Sequence, residues 1–459
     1  MDMISGRTAL RFLAPALLVL LFAGCATTQV SGPAPTREEH AAFGEAAALA
    51  RQHAALSGQA RTDNARQIEA LLATIDNDTL AREAARLPAG DPLYDFAGKA
   101  LQSRGLPLPR PFDTAAHWNF DGRPPAEGDG YRPPVKLAVL LPLSGQLATA
   151  AAPVRDGLLA GYFGENRRRP QIDFYDTAGT AAGALDAYGR AVAAGADFVV
   201  GPLGRDEVSA LFGRGQLSVP VLALNRGSVA PPPGNAGFSL APEDDGVIAA
   251  EYLLGRERKS ALVIGGNDDN GTRAARAFRE RFQARGGKIV DTLNVADAPG
   301  DLSAQLTAAA AAGADAVFLA VKGGTARALT PQLALAGLGG KARVGTSQLA
   351  SGTGKPEQDN ALDGIVFPTD VWTSRDVAGL PAASVTNLPT AKGPAARLFA
   401  FGYDAWRLTA YLQRLVERAN SELDGATGTL KLDGFGNVQR TPAWSTFSSG
   451  RATPIRDGG

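Results

Sequence analysis

The apolar positions of this chain fall into two series that repeat one another. Val135 to Leu141 is a near-continuous apolar run, the pattern of a strand buried on both faces of a parallel sheet. Pro142 to Gly145 turns the chain, and Leu147 to Tyr162 has the spacing of a helix. The alternation continues with a strand at Ile172–Tyr175, a helix at Thr180–Ala194, and a strand at Phe198–Val200 ending on Gly201-Pro202. A helix at Asp206–Phe212 and a strand at Val219–Leu224 close the first series. The second runs through a strand at Ser260–Ile264, a Gly/Asn/Asp loop, a helix at Thr272–Arg285 and a strand at Lys288–Leu293. A helix at Leu302–Ala312, a strand at Ala316–Val321 and a helix at Thr325–Ala336 follow. Strands alternating with helices predict doubly wound α/β lobes. Ala193-Ala194-Gly195-Ala196-Asp197 and Ala311-Ala312-Gly313-Ala314-Asp315 precede corresponding strands of the two series. Alone, that echo is a common helix-to-strand turn; at matching places in two series it favours two similar lobes.

The flanks differ. Arg37 to Arg104 is rich in strong helix formers, and Ile68, Leu71, Leu72 and Ile75 share one helical face, with Asp63 or Asn64 placed to cap that helix. Three or four helices are expected, too few for more than two 34-residue helical repeats. Leu106 to Pro134 is Pro- and Gly-rich, as linkers are. Beyond the second series, Ala395–Ala419 is a long helix carrying Phe399, Tyr403 and Trp406. Leu430–Leu432, the turn Asp433-Gly434-Phe435-Gly436-Asn437 and Val438–Phe447 form a hairpin pattern.

The N-terminus has the layout of an export signal. Arg7 and Arg11 are followed by an apolar stretch from Phe12 to Gly24, too short to span a bilayer. It ends in Leu21-Phe22-Ala23-Gly24-Cys25, which resembles a bacterial lipobox, although Phe22 stands where Leu is usual. Cys25 is the single cysteine and cannot form an internal disulfide, so lipidation is its expected fate. Ala26 follows it; among the Gram-negative lipoproteins this resembles, Asp there marks inner-membrane retention, so Ala26 implies the outer membrane. The expected organisation is a signal peptide at 1–24, a tether at 25–35, a helical domain at 36–105, a linker at 106–134 and the α/β body at 135–459. Within the body, lobe 1 takes about 135–241 and 390–420, and lobe 2 about 242–370 and 425–459.

Composition removes several kinds of chemistry. The chain has 459 residues, too many for one core, and 46 basic residues balance 46 acidic ones, so the basic footprint of a nucleic-acid binder is missing. No segment reaches the apolar length of a spanning helix. His40, His53 and His117 all precede the body, which contains neither His nor Cys. Ser-His-Asp and Cys-His nucleophiles and the usual zinc or iron ligand sets are therefore excluded from it. No phosphate loop is present, and Gly265-Gly266 is not a dinucleotide fingerprint. A calcium loop at Asn267–Gly271 would need acids where Gly266 and Ala277 stand. No cofactor is expected.

Ligands of open α/β sheets bind beyond the carboxyl ends of the strands, so two facing lobes enclose a cleft. The candidate lining is Ser144, Gly145, Gly201, Asn225, Asn270, Gly271 and Lys322. Each taken singly is an ordinary turn residue; as a set they stand where a cleft must be. A small-molecule ligand there is an open expectation.

Leu140-Leu141-Pro142-Leu143-Ser144-Gly145 followed by Val154-Arg155-Asp156-Gly157 resembles the opening of type I periplasmic binding proteins. More closely, it resembles the LpoA-type penicillin-binding-protein activators, the YraM or LppC lipoprotein family. Further matching strings are Phe174-Tyr175-Asp176-Thr177, Val199-Val200-Gly201-Pro202-Leu203 and Leu222-Ala223-Leu224-Asn225. Near the end come Phe401-Gly402-Tyr403-Asp404-Ala405-Trp406-Arg407-Leu408, Gly425-Ala426-Thr427-Gly428 and the Trp444 hairpin. The resemblance implies a two-lobed clamshell and no catalysis by the chain itself. It also implies a lipid anchor in the outer membrane and contact between the clamshell and a class A penicillin-binding protein, whose transpeptidation rises. The helical segment is shorter than that of better-known members, so reach across the periplasm also draws on the 106–134 linker. The competing expectation is a lipid-tethered receptor for amino acids or amides serving an importer. Against it, Leu203 and Gly204 offer no hydroxyl where such receptors place Ser or Thr. An enzyme comes third.

Overall fold

The computed structural model describes residues 40–56 and 58–455. The expected signal peptide, Cys25 and the tether lie outside the described residues. Four helices come first: α1 (Ala41–His53), α2 (Gly58–Thr74), α3 (Asn77–Arg86) and α4 (Leu93–Ser103). They share a core that includes Phe43, Ile68, Leu72, Ile75, Leu80, Tyr94, Phe96 and Leu101. Because α2 begins at Gly58, Asp63 and Asn64 lie inside it and do not cap it. Asn64 is buried and ties α2 to α1, with His53 Nδ1 2.9 Å from its Oδ1 and its Nδ2 donating to Leu49 O at 3.3 Å. Asp76 caps α3, accepting from Thr79 N at 2.9 Å.

The first lobe is built from β1 (Lys136–Leu141), α5 (Ala148–Gly164), β2 (Gln171–Asp176), α6 (Ala181–Ala193), β3 (Phe198–Val200), α7 (Arg205–Phe212), β4 (Val221–Ala223) and β5 (Ala236–Gly237). The second contains α8 (Pro242–Leu254), β6 (Ser260–Gly266), α9 (Asp269–Ala284), β7 (Lys288–Val295), α10 (Ser303–Ala311), β8 (Ala316–Ala320), α11 (Gly323–Leu335), β9 (Ala342–Gly345), α12 (Pro356–Asp359) and β10 (Ile365–Thr369). After α13 (Val371–Ser374), the long α14 (Ala395–Glu417) returns to the first lobe and packs along α5. A small antiparallel sheet of β11 (Leu423–Asp424), β12 (Thr429–Leu432) and β13 (Val438–Thr441) comes next. Last are β14 (Ala443–Ser448) and β15 (Arg451–Ile455), which extend the second sheet antiparallel beside β10.

The parallel strands run β2-β1-β3-β4-β5 in one sheet and β7-β6-β8-β9-β10 in the other, so each lobe repeats the same order: second, first, third, fourth, fifth. The sequence echo has a physical basis in this repetition. Asp197 accepts from Val135 N at 2.9 Å and Lys136 N at 2.6 Å; Asp315 accepts from Lys259 N at 3.0 Å and Ser260 N at 3.0 Å. In each lobe the carboxylate before the third strand clamps the start of the first, while Gly195 (φ 80°) and Gly313 (φ 85°) make the left-handed turn ahead of it.

Three differences from the sequence expectations have clear causes. Pro442 cannot donate to a ladder, and the expected Val438–Phe447 strand divides there into β13 and β14. Residues 423–441 therefore pack in the first lobe's core, through Leu423, Leu430, Leu432 and Val438, where 425–459 was assigned to lobe 2. The Pro-rich stretch is no free spacer: Phe120 and Tyr131 enter the first lobe's core, Arg132 N donates to Ala410 O at 2.8 Å, and Arg168 holds Pro133 O and Pro134 O.

The helical domain grips both lobes. Phe96 meets Phe435 edge-on at 4.6 Å, Gln102 Nε2 donates to Leu432 O at 3.1 Å, and Leu108 exchanges two hydrogen bonds with Asn420. Toward the second lobe, Arg281 donates to Ser103 Oγ and Arg285 to Ala73 O, both at 3.3 Å. Asp95 on α4 is pressed against the 433–437 turn, where a Cβ on Gly434 would lie 2.4 Å from its Oδ1. Burial, followed by the nearby Asp433 and Asp113, pushes the Asp95 carboxyl up to about 7.

Asp197→Ala and Asp315→Ala should each cost about 2 kcal/mol, read as a fall in the urea midpoint with an unchanged slope. Asp95 carries a folded pKa above its unfolded one, so its stabilising contribution is complete below the unfolded value and is lost as pH rises through about 7. Asp95→Asn should therefore flatten the decline of melting temperature between pH 4 and pH 8 (~4 pH units scanned); an identical decline in the variant would remove Asp95 as its source.

Candidate functional site

The residues assigned to the cleft all stand at the carboxyl ends of their sheets, yet most are engaged within their own lobe. Ser144 donates from Oγ to Asp176 Oδ2 at 2.6 Å, and Gly145 (φ 77°) packs where a Cβ would come 2.9 Å from Ala178 O. Gly201 (φ 99°) sits so close over β1 that a Cβ would fall 2.0 Å from Leu140 O. Asn225 gives Nδ2 to Leu203 O at 2.8 Å and takes Arg226 N at 2.9 Å, leaving little of its amide for a ligand. Asn270 and Gly271 were expected in a loop; they lie in the first turn of α9, whose cap is Asp268 accepting from Gly271 N at 2.9 Å. Lys322 precedes α11 and pairs with Asp297 at 2.8 Å. Leu203 packs against the first core, and Gly204 N is held by the buried Glu207 at 2.5 Å. The lobes touch across the cleft through Arg205 and Asp269, 3.7 Å apart.

A denser arrangement lies where the chain passes between lobes. Asp245 at the start of α8, Asp370 after β10 and Asp404 in α14 are all buried. Asp245 Oδ2 accepts from Ser347 N at 2.9 Å and from Ser347 Oγ at 2.5 Å, and Arg397 donates to the same hydroxyl. Arg440 of β13 lies 3.8 Å from Asp245 and 3.6 Å from Asp370, and donates to Thr427 O at 3.2 Å. Asp404 accepts three times, from Ala426 N at 2.6 Å, Thr427 N at 2.8 Å and Thr427 Oγ1 at 2.6 Å. Burial pushes its carboxyl up to about 6 despite those donors. Burial likewise raises Asp370, against the pull of Arg397 and Arg440.

Beside this cluster α14 runs against α5 at very short range. A Cβ on Gly157 would sit 1.8 Å from Phe399 O, and one on Gly402 would sit 1.9 Å from Val154 O. Gly161 makes room for the Trp406 ring in the same way. Gly157, Gly402, Asp404 and Thr427 all come from the strings that carry the family resemblance, so those strings build the packing of α14 against α5 and against the 426–427 turn. Asp245, Asp370, Arg397 and Arg440 were not foreseen, since nothing in the sequence joins charges so far apart along the chain. Among the described residues no group of three or more His, Cys, Asp or Glu could hold a metal ion.

A family model described as LppC putative lipoprotein matches residues 131–450. The chain belongs to that family. The LppC body is 28% identical over 331 residues to a protein of Mannheimia succiniciproducens named penicillin-binding protein activator LpoA, covering 70% of this chain and 55% of the relative. The chain thus spans about half the length of the relatives it matches. In structure it is similar to the C-domain of LpoA (YraM) from Haemophilus influenzae, titled a regulator of PBP1A, with a TM-score of 0.59, 23% identity and coverage of 70% of this chain and 99% of that one. It is also similar to a putative branched-chain amino acid ABC transporter protein from Chromobacterium violaceum, with a TM-score of 0.56, 30% identity and coverage of 68% and 100%. The body is a two-lobed clamshell of the type I periplasmic-binding kind, preceded by a helical region.

Glycine substitutions separate tight packing from ordinary helix. Gly402→Ala should lower stability by about 3 kcal/mol, because its methyl cannot fit against Val154 O. Gly189→Ala, in α6 with open space around it, should raise stability by up to about 1 kcal/mol. Chemical denaturation of both variants measures the contrast; equal effects would mean the α5–α14 contact yields freely.

Proposed function

We propose that this chain is a lipid-anchored activator of a class A penicillin-binding protein, held at the periplasmic face of the outer membrane through Cys25 and acting by protein–protein contact. The observation that carries the reading is the family match across 131–450 together with relatives named penicillin-binding protein activators. Chemistry is consistent with it. A body without His or Cys lacks the usual general base and a thiol nucleophile, and a regulator needs neither. Activation then requires the clamshell to bind the active form of the synthase more tightly than the inactive form. The LppC family's description as lipoproteins supports the anchor, and Ala26 after Cys25 supports the outer membrane.

A receptor for an importer is the second reading, favoured by the Chromobacterium violaceum likeness. A receptor must present free polar groups to the carboxylate and ammonium of its ligand. Here Ser144 and Asn225 are committed to Asp176 and the 203–226 backbone, while Lys322 meets Asp297 in an exposed pair. This weighs toward a protein partner.

The test adds the full chain in detergent to the same organism's class A penicillin-binding protein with lipid II, and counts cross-linked muropeptides. Cross-linking should rise at least about two-fold. Cys25→Ser should preserve that rise in solution while releasing the protein from membranes in cells. No rise, no co-purification of the two proteins and a melting shift with branched-chain amino acids would replace this reading by the receptor.

A further inference from the structure

Where the helical domain meets the second lobe, the ends of α4, α8 and α9 surround a recess of about 660 Å³, within the size range of small-molecule sites. Arg104, Lys259, Arg285 and Glu251 line it, with Asn77 and Ser103 on the helical side. Its charges do not balance locally. Arg281 joins the three lining cations, pairing with Glu251 at 2.5 Å, and Glu251 also faces Arg285 at 3.6 Å. The other nearby carboxylates are Asp76, which caps α3, and Asp315, which accepts from Lys259 N and Ser260 N. Four cations stand against three carboxylates, two of them engaged by backbone N–H groups.

These cations are held in place and incompletely used. Arg104 is fixed by donating to Ile75 O and Leu72 O, both at 2.7 Å. The Nε of Arg285 faces Glu251 at 3.6 Å without a hydrogen bond among the described residues. The ammonium group of Lys259, on the rim, has no partner among the described residues either. Burial, then Arg285 and Arg281, pushes Arg104 down to about 10, the sign of like charges crowded into a poorly solvated place. Guanidinium forks suit carboxylate and phosphate oxygens. We infer that this recess binds a compact oligoanion carrying at least two carboxylate or phosphate groups, bridging Arg104 of the helical domain to Lys259 and Arg285 of the second lobe. Such a ligand would strengthen the seam between them by mass action. The recess has this chemistry under either functional reading, because neither uses it.

The experiment is calorimetric titration of the full chain in detergent with pyrophosphate and, separately, with citrate, at matched ionic strength against sodium chloride. One saturable site is expected for at least one probe, and the tighter probe identifies phosphate or carboxylate as the natural group. Arg285→Gln should weaken it about 10-fold and Lys259→Gln about 5-fold. Lys259→Gln breaks no side-chain contact, so it decides alone if the arginine variant does not fold. No saturable binding of either probe below about 10 mM, or binding unchanged in Lys259→Gln, would overturn the assignment.

Discussion

The lobes are joined through buried charge. Asp245, Asp370 and Asp404 lie on three different passages of the chain, and an unpaired carboxylate in such a place is costly. Arg440 resolves two of them at once, and Arg397 reaches the hydroxyl of Ser347 that Asp245 holds. Asp404 is resolved by the backbone of 426–427 instead. A cluster of this kind contributes little net stability against an apolar alternative, but removing one member costs roughly 3–5 kcal/mol. It therefore fixes where the passages cross more than how strongly they adhere. The glycine contact of α5 with α14 and the small β11–β13 sheet, which supplies Arg440, both follow from that placement.

The legible part of the fold was the part written in periodicity. Apolar runs marked β1, β3, β6 and β8, and the Ala-Gly-Ala-Asp echo marked the same backbone clamp in both lobes. Short or partly exposed strands such as β5, β9 and β15 left no such trace. Helix starts were misplaced where a polar cap follows glycine-rich sequence: Asn270 and Gly271 look like loop residues until Asp268 is seen to cap the turn that contains them. The Pro-rich strap was misread as a spacer because composition reports a lack of regular structure and not a lack of contacts. Tyr131 and Arg132 anchor it although neither lies in a helix or strand.

The candidate site was legible in location and not in role. The turn residues at strand ends lie at the carboxyl edges of the sheets, where topology alone puts them. Whether such a residue faces a ligand or its own backbone depends on contacts distant in sequence, such as Ser144 with Asp176 or Lys322 with Asp297. The crossover cluster was invisible for the same reason: its charges come from 245, 370, 397 and 440, and no local pattern joins them.

The strengths of the contacts between lobes are unequal, and that inequality bears on how such a clamshell works. Arg205 and Asp269, which touch across the cleft, are both largely exposed, and an exposed pair is worth at most about 1 kcal/mol. The opposite constraint is heavier. The helical domain is fixed to the first lobe by the Phe96–Phe435 contact and the Leu108–Asn420 exchange, and to the second by Arg281 and Arg285. Opening the cleft about the crossover must slide one of these seams, whereas breaking the cleft pair costs little. A solute receptor works by opening and closing, which such a clasp resists. A protein that presents a fixed surface to a partner is helped by it, since a surface already ordered before binding costs less to engage.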